Sequence, residues 1–357
     1  MAEEPKVSKK VSKNGTITLF LGKRDFTDHV TSVEPIDGVV HVDPKDLNGR
    51  KVWISLACAF RYGSDDLDVI GLSFRKDIWF KYYQVYPPAD HKPTLSPMHE
   101  ILVKKAGDIA CPFTFQLPPN LPCSVNLQPG PGDKGKSCGV DFEVKAYVAN
   151  HGDNPDEHIS KKDRARFIIR KMQYGEQKPG PGPKAEVCRN FMMSDKPVHL
   201  EISLDKELYY HGEAIPVHIK INNETTKTVS KIKMFVEQQT DVVLYSADKY
   251  TKPVFTQEFS ETVEANGTFE KTLTFTPKLS ENQEKRGLAL DSGLKEADVS
   301  LASSTMLGAG AETLGILVSY KVKVNLIASS GGLLGGLTAS DITAEVPLIL
   351  MHPKPTK

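Results

Sequence analysis

The feature that most narrows what this chain can fold into is a succession of short, β-rich runs, each closed by turn residues. TITLFL (16–21), VWISLACAF (52–60), VDFEVKAYV (140–148), ARFIIRKM (165–172), VHLEISL (198–204) and ILVSYKVKVNL (316–326) are rich in β-branched and aromatic residues. Several alternate apolar and polar positions with a period of two, the pattern of a strand buried on one face. Glycine, proline, asparagine and aspartate punctuate them at short intervals. Many short strands with such punctuation predict an all-β fold of antiparallel sandwiches. One segment departs from the pattern. In SPMHEILVKKAG (96–107), Met98, Ile101, Leu102 and Lys105 follow helical spacing, with Pro97 suited to a first turn and Gly107 to a stop. It predicts a lone short amphipathic helix laid on a sheet.

With 357 residues, the chain exceeds what one core usually serves, so two domains are expected. The boundary falls in GEQKPGPGPKAE (175–186), where proline and glycine deny both helix and ladder. The division is 1–174, a linker over 175–187, a second domain over 188–351, and the start of a tail at 352–357. The formal net charge is zero, so no bulk field draws the chain to nucleic acid, and any electrostatic recognition has to be local. The polar N-terminus lacks the apolar core of a secretory signal. The cysteines, Cys58, Cys111, Cys123, Cys138 and Cys188, are odd in number and form no C-x-x-C pair, which fits reduced thiols in a cytoplasmic protein. Sequons at Asn14, Asn223 and Asn266 read as chance.

GPGDKGKS (130–137) satisfies the phosphate-loop pattern G-x-x-x-x-G-K-[ST]. That loop works because it opens a helix whose N-terminal N–H groups hold the phosphates. Here Val140, Phe142, Val144 and Ala146 alternate with Asp141, Glu143 and Lys145, which predicts a strand. The match therefore sits in a strand-to-strand connection turned by Pro129 and Pro131. G-x-S-x-G and H-E-x-x-H are absent, and the ten histidines lack ligand spacing. The sequence proposes no enzyme, metal or cofactor.

LGKRDFTDHV (21–30), VEPIDGVVHVDP (33–44), CAFRYGSDDLDVIGLSFRKD (58–77), LPCSVNLQPGPGDKGKSCGVDFEVKA (121–146), MSDKP (193–197), YYHGE (209–213), KRGLALD (285–291), LASST (301–305) and LGILVSYKVKV (314–324) together resemble the arrestin family, in order and over nearly the whole chain. VVLYSADKYTKPVFTQEF (242–259) is most similar to the cone-photoreceptor branch of visual arrestins. The resemblance implies two immunoglobulin-like β-sandwiches. It also implies binding to light-activated, phosphorylated opsin or a related G-protein-coupled receptor, with termination of G-protein signalling. The alternative is an endocytic scaffold of the β-arrestin kind that serves many receptors. Residence in the cytoplasm, movement to outer-segment membranes, an inositol polyphosphate as a further ligand, and a monomeric or weakly self-associating state belong to the same expectation.

Phosphate recognition needs clustered cations. As residue types, scattered lysines are solvated surface, but Lys9, Lys10, Arg24, Lys104, Lys105, Lys161, Lys162 and Arg166 match family positions that meet the phosphorylated receptor tail, and Lys295 matches a further phosphate contact. Strand alternation alone puts Arg170 with Arg166 and Ile168 on an exposed or edge face. The resemblance instead places Arg170 in a buried polar core with Asp25, Asp291 and Asp298. Drawing Arg170 or Lys295 away to a phosphate would then unbalance that core and shift the population toward a receptor-binding form.

Asp66, Leu67, Asp68, Val69, Ile70, Gly71 and Leu72 match the finger loop; their apolar residues either fold back on a sheet or enter the receptor cavity. Gly130, Gly132, Asp133, Lys134 and Gly135 match the middle loop, where Lys134 and Lys136 read as solvated. Leu333 and Leu334, in SSGGLLGGL (329–337), form either a tight hairpin or a membrane-edge contact. Two departures stand out. Val7 and Ser8 replace a longer apolar run ending in Phe, and the sequence stops at Lys357 before the regulatory tail. If 357 residues are the native length, the second predicts weakened dependence on receptor phosphorylation.

Overall fold

The computed structural model describes residues 7–63, 73–89, 91–132, 138–153, 157–244, 247–293, 299–308, 312–328 and 341–354. Strand dominates, and the chain divides into two compact units. Unit 1 comprises Met1–Gln173, Ser292–Asp298 and Met306–Ile316, and unit 2 comprises Tyr174–Asp291, Val299–Thr305 and Leu317–Lys357.

In unit 1, β1 (Ser8–Val11), β2 (Ile17–Leu21), β4 (Ile36–Val42) and β7 (Ala110–Phe115) form a four-stranded antiparallel sheet. The other layer is built on β5 (Lys51–Tyr62), which pairs with β6 (Phe74–Tyr86) on one side and β9 (Cys138–Ala149) on the other. β10 (Arg164–Gly175) follows on β9, and β3 (Asp25–Asp28) joins β10 in parallel. β8 (Val125–Leu127) also pairs with β9. The alternating apolar residues of 140–148 are buried as expected, with Val140, Phe142, Val144 and Ala146 at 0% exposure. Because β9 begins at Cys138, the chain after Ser137 extends directly into a ladder rather than opening a helix.

Helix α1 (Pro97–Ala106) packs on β2, β4 and β7. Ser96 caps it by accepting from the His99 amide, while the Ser96 amide donates back to the His99 ring at 3.1 Å. Gly107 ends it at φ +75°, a backbone region favoured by glycine. The buried seam differs from the one read in the sequence. Leu102 and His99 are fully buried, Met98, Val103 and Ala106 flank them, and Lys105 faces solvent. His99 enters the core because its Nε2 lies 2.9 Å from the Phe113 carbonyl, so its polar edge is satisfied. Val7 packs against Phe20, Val39 and Leu102, so the shortened apolar run still reaches this cluster.

Unit 2 has one sheet ordered β11 (Lys184–Asn190), β12 (Pro197–Leu204), β14 (Ile215–Asn223), β17 (Thr268–Phe275). The other is ordered β16 (Ala247–Phe259), β15 (Val229–Val243), β20 (Gly315–Ala328), β21 (Asp341–Pro353), with β13 (Leu208–Tyr210) parallel to β21. β11 starts inside the stretch read as linker: Lys184, Ala185 and Glu186 pair with Ser203, Ile202 and Glu201. Proline and glycine stop at Pro183, so nothing prevents pairing beyond it. Gly182 is required by close approach, since a Cβ there would lie 1.9 Å from the Leu204 carbonyl oxygen. Asn223 is fully buried and donates to the carbonyls of Lys227, Val263 and Glu264, which gives this sequon asparagine a packing role.

Candidate functional site

The site in unit 1 is organised by the parallel pairing of β3 and β10. Their register sets Arg170 opposite Asp25 and Gln173 opposite Asp28, joining residues about 145 positions apart. Arg170 makes a two-pronged contact, Nε to Asp25 Oδ1 and Nη2 to Asp25 Oδ2, each 2.6 Å. Its Nη1 donates to the Ser292 carbonyl at 2.8 Å. The Arg170 side chain is 11% exposed and that of Asp25 is 40% exposed. The exposed face suggested by alternation is therefore wrong for Arg170: β3 covers that edge and brings a carboxylate with it. A bidentate guanidinium–carboxylate pair combines charge with fixed geometry.

The next residue on β10 carries a second pair that the sequence reading missed. Lys171 Nζ bonds to Asp28, with side chains 1% and 0% exposed. Gln173 donates to Asp28 at 3.3 Å and to the Met306 carbonyl at 2.8 Å, and Cys123 Sγ lies 3.8 Å from Lys171 Nζ. Burial works against the Lys171 ammonium, but Cys123 and Asp28 outweigh it and raise its pKa. The signal available in sequence was TDH (27–29) opposite RKMQ (170–173), which has no meaning until the strands are paired.

The expected phosphate-binding cations fall into two groups. Lys9 and Lys10 on β1, Lys104 and Lys105 in the last turn of α1, and Lys161 and Lys162 in a 3-10 turn are all exposed. β1 is tied to that turn through Asn14, whose amide donates to the Lys162 carbonyl at 3.3 Å and whose side chain donates to Asp163 at 2.8 Å. Arg24 and Arg166 are instead engaged inside the unit. Arg24 donates twice to the Ile168 carbonyl, at 2.9 and 2.6 Å, and lies over the Phe167 ring. Arg166 donates to Glu143 at 3.1 Å. Glu143 is also approached by Arg61 and Arg75, each at 3.9 Å, and Arg61 meets Asp141 at 3.3 Å. Burial pushes the Asp141 carboxyl up against the pull of Arg61. This network stands at the base of the β5–β6 hairpin, where Tyr62 pairs with Phe74.

The finger-loop residues Asp66, Leu67, Asp68, Val69, Ile70, Gly71 and Leu72 lie outside the described residues, as do Asp133, Lys134, Gly135, Lys295, Asp298, Leu333 and Leu334. Gly130 is buried; Gly132 is exposed in a turn where an added Cβ would meet nothing. Asp291 lies in unit 2, at the end of β18 (Ala289–Asp291). Its Oδ2 is 2.9 Å from His352 Nε2 and accepts from Ser303 Oγ at 2.8 Å, and its Oδ1 accepts from the Ser303 amide at 3.1 Å. His211 Nε2 is 3.9 Å from the same carboxylate and 3.0 Å from Ser303 Oγ. Burial, with the nearby His352, holds the His211 ring well below its usual range, at about 4.

Two β-sandwich units, a partly covered arginine–carboxylate pair and lysines exposed on the same unit are the features of a binding protein of the arrestin class. The chain belongs to the arrestin family. The family's N-terminal domain, arrestin (or S-antigen), matches residues 17–175, and its C-terminal domain matches residues 194–355. Arrestin-C of Sus scrofa is 57% identical over 355 residues, covering 98% of this chain and 90% of the relative. Arrestin-C of Lithobates pipiens is 56% identical over 360 residues (100% and 92%), and that of Homo sapiens 55% over 355 residues (98% and 91%).

Proposed function

We propose that this protein binds light-activated, phosphorylated opsin and ends its G-protein signalling, with the Arg170–Asp25 pair as the phosphate-responsive element. Receptor binding and signal termination follow from the high identity to Arrestin-C, which favours the cone visual branch over a β-arrestin scaffold. The observation that carries the switch is the unequal cover of the pair: a nearly buried guanidinium held by a carboxylate that water reaches. A phosphate, with close to two charges, can compete for Arg170 from that open side. Lys9, Lys10, Lys104, Lys105, Lys161 and Lys162, exposed on the same unit, supply the field that gathers a phosphorylated segment. Withdrawal of Arg170 leaves Asp25 unpaired and biases the protein to its receptor-bound form. In this reading Asp291, Asp298 and Lys295 complete the polar core, residues 66–72 enter the receptor cavity, residues 130–135 move aside, and Leu333 and Leu334 touch the membrane. Arg24 acts mainly by clamping β10, where Arg170 is carried. The protein works from the cytoplasm, moves to outer-segment membranes when opsin is activated, and takes an inositol polyphosphate on the same cations.

The test is capture by opsin in four states, dark or illuminated, phosphorylated or not. The illuminated phosphorylated state should bind most; equal capture in all four would overturn the proposal.

A further inference from the structure

A cluster wholly within unit 2, which shares Asp291 with the polar core proposed above, has the donor set of a metal site. Among the described residues, His211, Asp291 and His352 are the group of histidine, cysteine or carboxylate side chains whose ligand atoms converge, all within 4.8 Å of one another. Nε2 of His352 lies 2.9 Å and Nε2 of His211 3.9 Å from one oxygen, Asp291 Oδ2, and the two ring centroids are 4.3 Å apart. We propose that these three side chains bind a divalent transition-metal ion of the zinc type, with the fourth position left to water or a serine hydroxyl.

The backbone holds the ligands in place before any ion arrives. β13 runs parallel to β21, and the His211 amide donates to the Met351 carbonyl at 3.0 Å, which sets His211 beside His352. Gly212 turns the chain away at φ +83°. Asp291 is oriented by both the amide and the hydroxyl of Ser303, the kind of outer partner that aims a ligating carboxylate. Ser300 Oγ, 3.4 Å from His352 Nε2, lies close enough to contribute. Two imidazoles and one carboxylate suit zinc and its neighbours, whereas magnesium and calcium prefer all-oxygen shells. Three protein ligands with an open position is a familiar zinc arrangement with bonds of about 2.0–2.2 Å, and the ligand atoms, now within 4.8 Å of one another, would draw in around the ion. An ion there would tie β18, the turn after β13, and β21 together.

The experiment uses the full chain, stripped with a chelator and titrated with Zn2+ and, separately, Co2+. Wild type should bind a single equivalent of Zn2+ saturably and gain a higher thermal midpoint, and Co2+ should give visible bands that Zn2+ abolishes. His211→Gln and His352→Gln should each weaken binding about 100-fold, and Ser303→Ala about tenfold, by loss of a ligand and of an orienting partner respectively. Cys188 Sγ, 3.9 Å from His199 Nε2 with Glu224 3.3 Å from the same ring, is a surface competitor; Cys188→Ser should leave the affinity unchanged. X-ray absorption on the Zn2+-loaded wild type needs no variant and should report two imidazoles and no sulfur. A sulfur or all-oxygen shell, unchanged affinity in both histidine variants, or no saturable binding would overturn the proposal.

Discussion

Arg170 and Lys171 are neighbours on β10, and each is paired with a carboxylate on β3, yet the two pairs differ in the access of water. Lys171 and Asp28 are sealed, at 1% and 0% exposure, whereas Arg170 sits against an Asp25 that is 40% exposed. A sealed pair can be broken only by opening the unit, because its desolvation cost is already met and a lone buried charge is worse. A pair open on one side can exchange its partner for another anion without unfolding. Residue type does not separate a structural ion pair from a switchable one; access does.

The largest effect should come from breaking the sealed pair. Asp28→Asn strands the Lys171 ammonium and should cost about 3–5 kcal/mol in denaturant unfolding, with Lys171→Met in the same chain recovering much of it. A cost below about 1 kcal/mol would show that water reaches Lys171 after all. Arg170→Glu comes next. It should place two carboxylates together at β3–β10 and give binding to illuminated opsin that no longer depends on phosphorylation; fully retained dependence would remove Arg170 from the switch. Asp25→Asn should cost only about 1 kcal/mol, because solvent screens this pair, while relaxing phosphate dependence in the same direction. Arg170→Lys should be milder still on stability yet fail to restore normal phosphate discrimination, since an ammonium cannot make the two-pronged contact. Smallest in stability, Lys9→Ala with Lys10→Ala should leave the unfolding midpoint in place and lower capture of phosphorylated opsin only.

Helix α1 shows how far local pattern carries. Ser96, Pro97 and Gly107 mark its ends because capping depends on a few adjacent backbone groups. Its buried face was less legible: His99 is polar by type, and its burial is tolerable because Ser96 and the Phe113 carbonyl engage its two ring nitrogens. Likewise Arg24 and Arg166 are cations like the lysines in sequence, but Ile168 and Glu143 engage them once β10 is in place. The linker shows the same limit. Proline and glycine deny pairing only where they stand, so β11 starts as soon as they end.

Legible in the sequence alone were the strand-rich class, the helix at 97–106, the strand that excludes a phosphate cradle after Ser137, and the family to which the chain belongs. All of these rest on periodicity, turn chemistry or ordered motifs, which are local or read along the chain. Only tertiary structure decided which charges are buried, which are paired and which water can reach. The parallel register of β3 on β10 brings Asp25 to Arg170 and Asp28 near Lys171, and the β13–β21 ladder brings His211 to His352. Those partners lie far apart in sequence, and the cost or gain of a charge depends on what surrounds it rather than on what precedes it.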